Sequence, residues 1–90
     1  MTEMTLLTQP ACTLCDHAKT VLGRVSDDYE LHITEVSMVD DPGLQLARDA
    51  GVMFAPGLLI DGELFSHGRL SEKKLRRHLS ARSTLTPRRS

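Results

Sequence analysis

The 90-residue chain reads as an α/β domain: a four-stranded mixed sheet flanked by three helices, in the order β-α-β-α-β-β-α. Three observations predict it. A short apolar run and the alternating stretch "DDYELHIT" flank a segment of helical spacing, which is the pattern of a βαβ unit. Two apolar runs stand on either side of Asp61-Gly62, a dipeptide favoured in two-residue hairpin turns. Apolar residues return at helical spacing from Leu70 onward and close the order with a helix.

Each element has its own warrant. "MTLLT", Met4 to Thr8, is an apolar run ended by Pro10 and predicts a buried strand. Leu14, Ala18, Val21, Leu22 and Val25 share one helical face, so a helix is expected from about Thr13 to about Arg24. Tyr29, Leu31 and Ile33 alternate with Glu30, His32 and Thr34 at the strand period. Asp41 before Pro42 has the form of an N-cap followed by proline at the first helical position. Leu44, Ala47 and Ala50 would face inward from that helix, and Gly51 would stop it. The last helix is expected to open at Ser71, with Leu70 and Leu75 as a hydrophobic staple and Leu79 continuing the face. The first two strands should be parallel with a right-handed crossover, and the hairpin adds antiparallel strands. Residues 1–82 make one domain in this reading. Residues 83–90, "STLTPRRS", have no period and read as a flexible basic tail.

Composition narrows the function. Apolar content of 40% and charged content of 26% suit a folded globular chain rather than a disordered one. No apolar run approaches the roughly 18 residues of a membrane span. The N-terminus lacks the basic and apolar regions of a secretory signal, so a cytoplasmic location is expected. A net charge of -1 gives no general pull toward nucleic acid. Lys73, Lys74, Arg76, Arg77, Arg82, Arg88 and Arg89 all follow Glu72 and read as a solvated face that complements a helix C-terminus.

The chemistry concentrates in "PACTLCDHA", which holds the only two cysteines, Cys12 and Cys15. A bridge between them would close a very short loop and stabilise the fold little. A zinc site wants four ligands, for which Cys12, Cys15, His17 and His67 are the one combination of suitable type. A metal cluster shared across a dimer would also use the cysteines, and a pair of inert thiols would leave them without chemistry. Cys-x-x-Cys after a strand and at a helix head reads instead as a redox dithiol. Backbone N–H groups and the helix dipole stabilise an anion there, and cysteines so placed have pKa values from about 3.5 to 7.5. Cys12 would be the attacking thiolate. Cys15, one turn on, would resolve the mixed disulfide. Thr13 and Leu14 add no charge and Asp16 opposes the thiolate, which points to a mildly reducing couple. Of the remaining histidines, His32 would point outward on its strand, His78 would lie on a helix face, and His67 has a place near the site among the readings open to it.

Pro56 in "MFAPGLLIDG" precedes an apolar strand, where its missing N–H is tolerated. It is either a plain strand-start proline or part of a cis Ala55–Pro56 bond, which would expose the Ala55 backbone beside Cys12 for pairing with an extended substrate.

The element order, Cys12-Thr13-Leu14-Cys15 at a helix head and Pro56 before the hairpin together resemble the thioredoxin fold. The block "GVMFAPGLLIDGELFSHGRLSEKKLRRHL", Gly51 to Leu79, is similar to the small glutaredoxin-like thioredoxins, which lack the extra N-terminal strand and helix of larger members. Gly51, Val52, Pro56, Leu58, Ile60, Asp61, Gly62 and Gly68 match that pattern in order, and the resemblance spans about residues 4 to 80. It implies a thiol–disulfide oxidoreductase with a redox-active Cys12/Cys15 disulfide and substrate contacts from Thr13, Leu14, Ala55 and the cis-proline Pro56. It implies no cofactor and no metal. The implied partners are protein disulfides and a reductant, either a thioredoxin-reductase-like enzyme or a low-molecular-weight thiol, acting on a monomer that binds neither nucleic acid nor membrane.

The departures from glutaredoxins refine this. Thr8 to Ala11 hold no lysine, Thr13-Leu14 no aromatic, and His67-Gly68 stands in place of a glycine pair. Those differences favour protein disulfides over glutathione. A glutathione-dependent glutaredoxin and a non-catalytic binding or electron-carrier module are the competing functions. Leu6 lies near the place where larger thioredoxins carry a buried aspartate, so Cys15 would need another proton acceptor, such as water.

Overall fold

A computed structural model describes residues 2–85, the side chains of 82–85 excepted. Its elements are β1 (Thr2–Thr8), α1 (Thr13–Val25), β2 (Leu31–Ser37), α2 (Gly43–Ala50), β3 (Gly57–Ile60), β4 (Glu63–His67) and α3 (Glu72–Leu85), in the order the sequence predicts. The strands form one sheet in the order β2-β1-β3-β4. β1 pairs β2 in parallel and β3 antiparallel, and β3 pairs β4 antiparallel. This is the expected mixed sheet.

The two-residue period of the strands sorts their side chains between two cores. Met4 and Leu6 of β1 join Leu58 and Ile60 of β3 on one face, covered by Ala18, Val21, Leu22 and Val25 of α1 and by Leu70, Leu75 and Leu79 at α3. Leu7 and Leu59 lie on the other face with Ala47 of α2 and Val52. β3 is therefore buried along its whole length, which explains its unbroken apolar sequence. Asp61 and Gly62 turn the hairpin with φ values of 53° and 85°. Positive φ at both positions is what a type I′ turn demands, and it explains the dipeptide.

Four expectations need correction. Leu14 is not on the inner face of α1: it is 36% exposed, and Cys15 takes that position beside Ala18, Val21, Leu22 and Val25. Asp41 does not cap α2: the N-cap is Pro42, in the αR region with no side-chain cap, and the helix starts at Gly43. The physical reason lies in the backbone: the Leu44 N–H that an Asp41 cap would serve is already bonded to the Asp40 carbonyl at 2.9 Å, and Gly43 fits where a Cβ would run into the Ser37 carbonyl. Ile33 does not share the burial of Leu31; it is 36% exposed, because β2 is an edge strand, and Val36 and Met38 pack on the opposite core instead. α3 continues to Leu85, past Ser83 where the sequence predicts the tail to begin, and residues 86–90 lie outside those described.

At its start α3 follows the sequence. Ser71 Oγ accepts from the Lys74 N–H at 3.2 Å, and Leu70 and Leu75 are both buried beside it. Among the described residues, no helix is long and apolar enough to cross a membrane.

Candidate active site

β1 ends at Thr8, and Gln9, Pro10 and Ala11 carry the chain to Cys12. Ala11 takes φ 53°, a left-handed conformation that costs a non-glycine residue about 1 kcal/mol. That turn delivers Cys12 in extended conformation (φ −119°, ψ 103°) as the N-cap of α1. Its Sγ accepts a hydrogen bond from the Cys15 N–H at 3.0 Å, the role usually taken by a serine or aspartate oxygen. Cys12 and Cys15 are joined as a disulfide with their Cα atoms 5.2 Å apart. The two sulfurs are not equivalent: Cys12 is partly exposed, whereas Cys15 is 2% exposed and belongs to the inner face of α1. Thr13 and Leu14, between them, are both exposed.

The register brings a second segment to the same end of the sheet. Gly57, at the start of β3, pairs with Leu7 of β1 on one side and His67 of β4 on the other. Pro56, just before Gly57, therefore lies level with the strand end that leads to Cys12. The Ala55–Pro56 bond is cis, one of the two forms the sequence allows. Ala55 is buried, which differs from the open position expected for it. Among the described residues, none hydrogen-bonds its backbone N–H or carbonyl. Pro56 offers its carbonyl to the Gly68 N–H at 2.7 Å.

Sequence reasoning does not single out the two residues before Ala55. Met53 and Phe54 are 80% and 54% exposed, and Phe54 stacks on the His67 ring with centroids 5.0 Å apart. The available signal is a pair of bulky apolar residues in a loop next to a proline.

Ion pairs fix α1 against α3. Arg24 bonds the Glu72 carboxylate at 2.8 Å; Arg76 bonds Glu72, Asp28 and the Arg24 carbonyl. Hydrogen bonds from Arg24 first and Arg76 second hold the Glu72 carboxyl below its ordinary range. Between these helices lies a cleft of about 290 Å³ bordered by His17, Arg24 and Arg69 and by no cysteine. His17 Nδ1 is buried there and has no hydrogen-bond partner among the described residues. The set Cys12, Cys15, His17 and His67 is not assembled: among the described residues no three His, Cys, Asp or Glu side chains are grouped to hold a metal ion.

The sequence model of the family described as "Thioredoxin domain" matches residues 2–80. The chain belongs to that family. Solved structures agree at the level of fold. The thioredoxin domain is similar to a mutant thioredoxin from Halobacterium salinarum, with TM-score 0.69 and 19% identity over 89% of this chain and 73% of that one. It is similar to oxidized mitochondrial thioredoxin 3 from Saccharomyces cerevisiae, with TM-score 0.66 and 14% identity over 89% of this chain and 77% of that one. A structure titled as a malarial protein matches with TM-score 0.69 and 15% identity over 90% and 96% of the two chains. No curated protein matches in sequence. A thioredoxin domain whose Cys-x-x-Cys pair forms a disulfide at a helix head supports thiol–disulfide oxidoreduction as the class of chemistry.

Proposed function

We propose that this thioredoxin domain reduces protein disulfides through Cys12 and Cys15. The observation that carries the reading is the unequal exposure of two bonded sulfurs at the head of α1, with Cys12 accessible and Cys15 covered. In the dithiol form, Cys12 is the sulfur a substrate can reach. The Cys15 N–H, directed at Cys12 Sγ, favours the thiolate, as does the positive end of the helix dipole.

The Cys12 thiolate attacks one sulfur of the substrate disulfide, forming a mixed disulfide and expelling the other substrate sulfur as a thiolate. Cys15, after losing its proton to water, attacks Cys12 Sγ. The second substrate thiolate leaves, and the Cys12–Cys15 disulfide remains. Two electrons have passed to the substrate. A thioredoxin-reductase-like enzyme or a low-molecular-weight thiol restores the dithiol, in a cytoplasmic setting where thiols are kept reduced. Exposed Thr13 and Leu14 line the approach, and Ala55 and Pro56, buried as residues in the free protein, meet the substrate through the Ala55 backbone. The unbonded Ala55 N–H and carbonyl supply a donor and an acceptor for an extended substrate strand. The chain works as a monomer and needs no cofactor.

Insulin reduction by dithiothreitol tests the reading. The wild type should accelerate it and Cys12→Ser should not; acceleration by Cys12→Ser equal to wild type would refute it.

A further inference from the structure

We propose that Phe54 and His67 form one pre-set ledge that selects disulfides flanked by a bulky apolar side chain. The proposal deepens the disulfide-reducing role given above and rests on it.

The ledge is built by the irregularity in the hairpin. β3 and β4 pair as Ile60 with Glu63 and Leu59 with Leu64, but the register then shifts, so that Leu58 meets Ser66 and Gly57 meets His67. Phe65 is the extra residue of this bulge. Without it Ser66 would stand opposite Gly57. With it, the imidazole is placed in the row that runs through Gly57 to Leu7, at the end of the sheet from which the chain departs for Cys12. Two strand spacings separate His67 from Leu7, about 10 Å.

On that imidazole lies Phe54, at 5.0 Å between centroids and 25° between planes. Its ring edge also rests against Gly68, where an added Cβ would come within 3.0 Å of Phe54 Cε1. Gly68 is in turn bonded to the Pro56 carbonyl at 2.7 Å. A phenyl ring with half its surface in water is thus held from two sides. Met53 beside it is, at 80%, the most exposed large apolar side chain among the described residues. Leu14, exposed between the two cysteines, adds apolar surface on the α1 side.

Exposure of this surface is unfavourable in the free protein. An aromatic ring already fixed in place loses little conformational freedom when a ligand covers it, so its burial counts nearly in full toward binding. The occupant that fits is an aliphatic or aromatic side chain next to a cysteine of the substrate, lying on the ledge while its disulfide meets Cys12. A small polar side chain gains nothing there.

The test compares two cyclic disulfide peptides, alike except for Leu or Ser beside one cysteine, with hydroxyethyl disulfide as a substrate too small to reach the ledge. Dithiothreitol is the reductant. The wild type should prefer the Leu peptide, and Phe54→Ala should raise KM for it roughly tenfold. Rates on hydroxyethyl disulfide, and the Cys12–Cys15 reduction potential, should stay at wild-type values. His67→Ala should weaken the preference and His67→Phe, which can still stack, should keep it. Equal rates on the Leu and Ser peptides, or equal losses on all substrates in Phe54→Ala, would overturn the ledge alone. So would a wild-type dimer in sedimentation that Phe54→Ala dissolves, which would assign the face to a second copy of the chain. A wild type that reduces none of the three overturns the redox reading and the ledge with it.

Discussion

Gly68 donates its backbone N–H to the Pro56 carbonyl at 2.7 Å, which ties the loop before β3 to the turn before α3. Gly68 holds φ 83° at this junction. Alanine there must adopt the left-handed region and press on Phe54, so Gly68→Ala should cost about 1–2 kcal/mol. Urea unfolding should show a lower midpoint at unchanged slope. Gly23 provides the opposite sign. It sits in α1 with open space around its Cα, so Gly23→Ala should stabilise by about 0.5–1 kcal/mol.

The approach of Gly43 to the Ser37 carbonyl leaves no room for any side chain. Gly43→Ala should therefore push α2 away from the end of β2, costing about 2 kcal/mol or more. Amide shifts in a heteronuclear spectrum should be largest at residues 36–38 and 43–47. A variant as stable as the wild type would contradict this close contact.

Removing the covered sulfur should stop the cycle halfway. Cys15→Ser should attack a disulfide substrate through Cys12 and then hold it, so a mixed disulfide of protein and substrate should accumulate. Intact mass spectrometry under non-reducing conditions should find close to one substrate per chain. Cys12→Ser should hold none.

Acid should expose the contribution of Glu72. Its carboxyl, bonded by Arg24 and Arg76, has a folded pKa below the reference value of 4.5. A depressed carboxyl contributes stability that is fully present above the unfolded pKa and is lost as pH falls through the folded one. The wild-type melting temperature should fall more steeply below pH 4.5 than that of Glu72→Gln, and the two curves should converge in strong acid. Because these groups are partly solvated, the difference should be small and should shrink with added salt.

What is legible in the chain is what short-range patterns encode. The Asp61-Gly62 turn, the helical face from Ala18 to Val25 and the Cys12/Cys15 pair at a helix head depend on residues within a turn or two of one another. The start of α2 misleads because Asp41-Pro42 has the local form of a cap, whereas the backbone of Asp40 already serves the Leu44 N–H that such a cap would take. Ile33 reads as inward because alternation says which residues share a face but not whether an edge strand is covered. The Phe54–His67 pair has no sequence signature. It joins a loop to a strand thirteen residues later, and its placement depends on the Phe65 bulge, which no local motif announces.

The central position of β1 has a kinetic consequence. Its amides are bonded to β2 on one flank and β3 on the other, so they exchange with solvent only when the sheet comes apart. Leu6 and Leu7 should be among the slowest-exchanging amides of the domain, with an opening free energy close to that of global unfolding. Cys12 follows this most persistent strand after only the three residues Gln9, Pro10 and Ala11. The attacking sulfur is thus anchored to the segment that opens last, and fluctuations of the edge strands leave its position undisturbed.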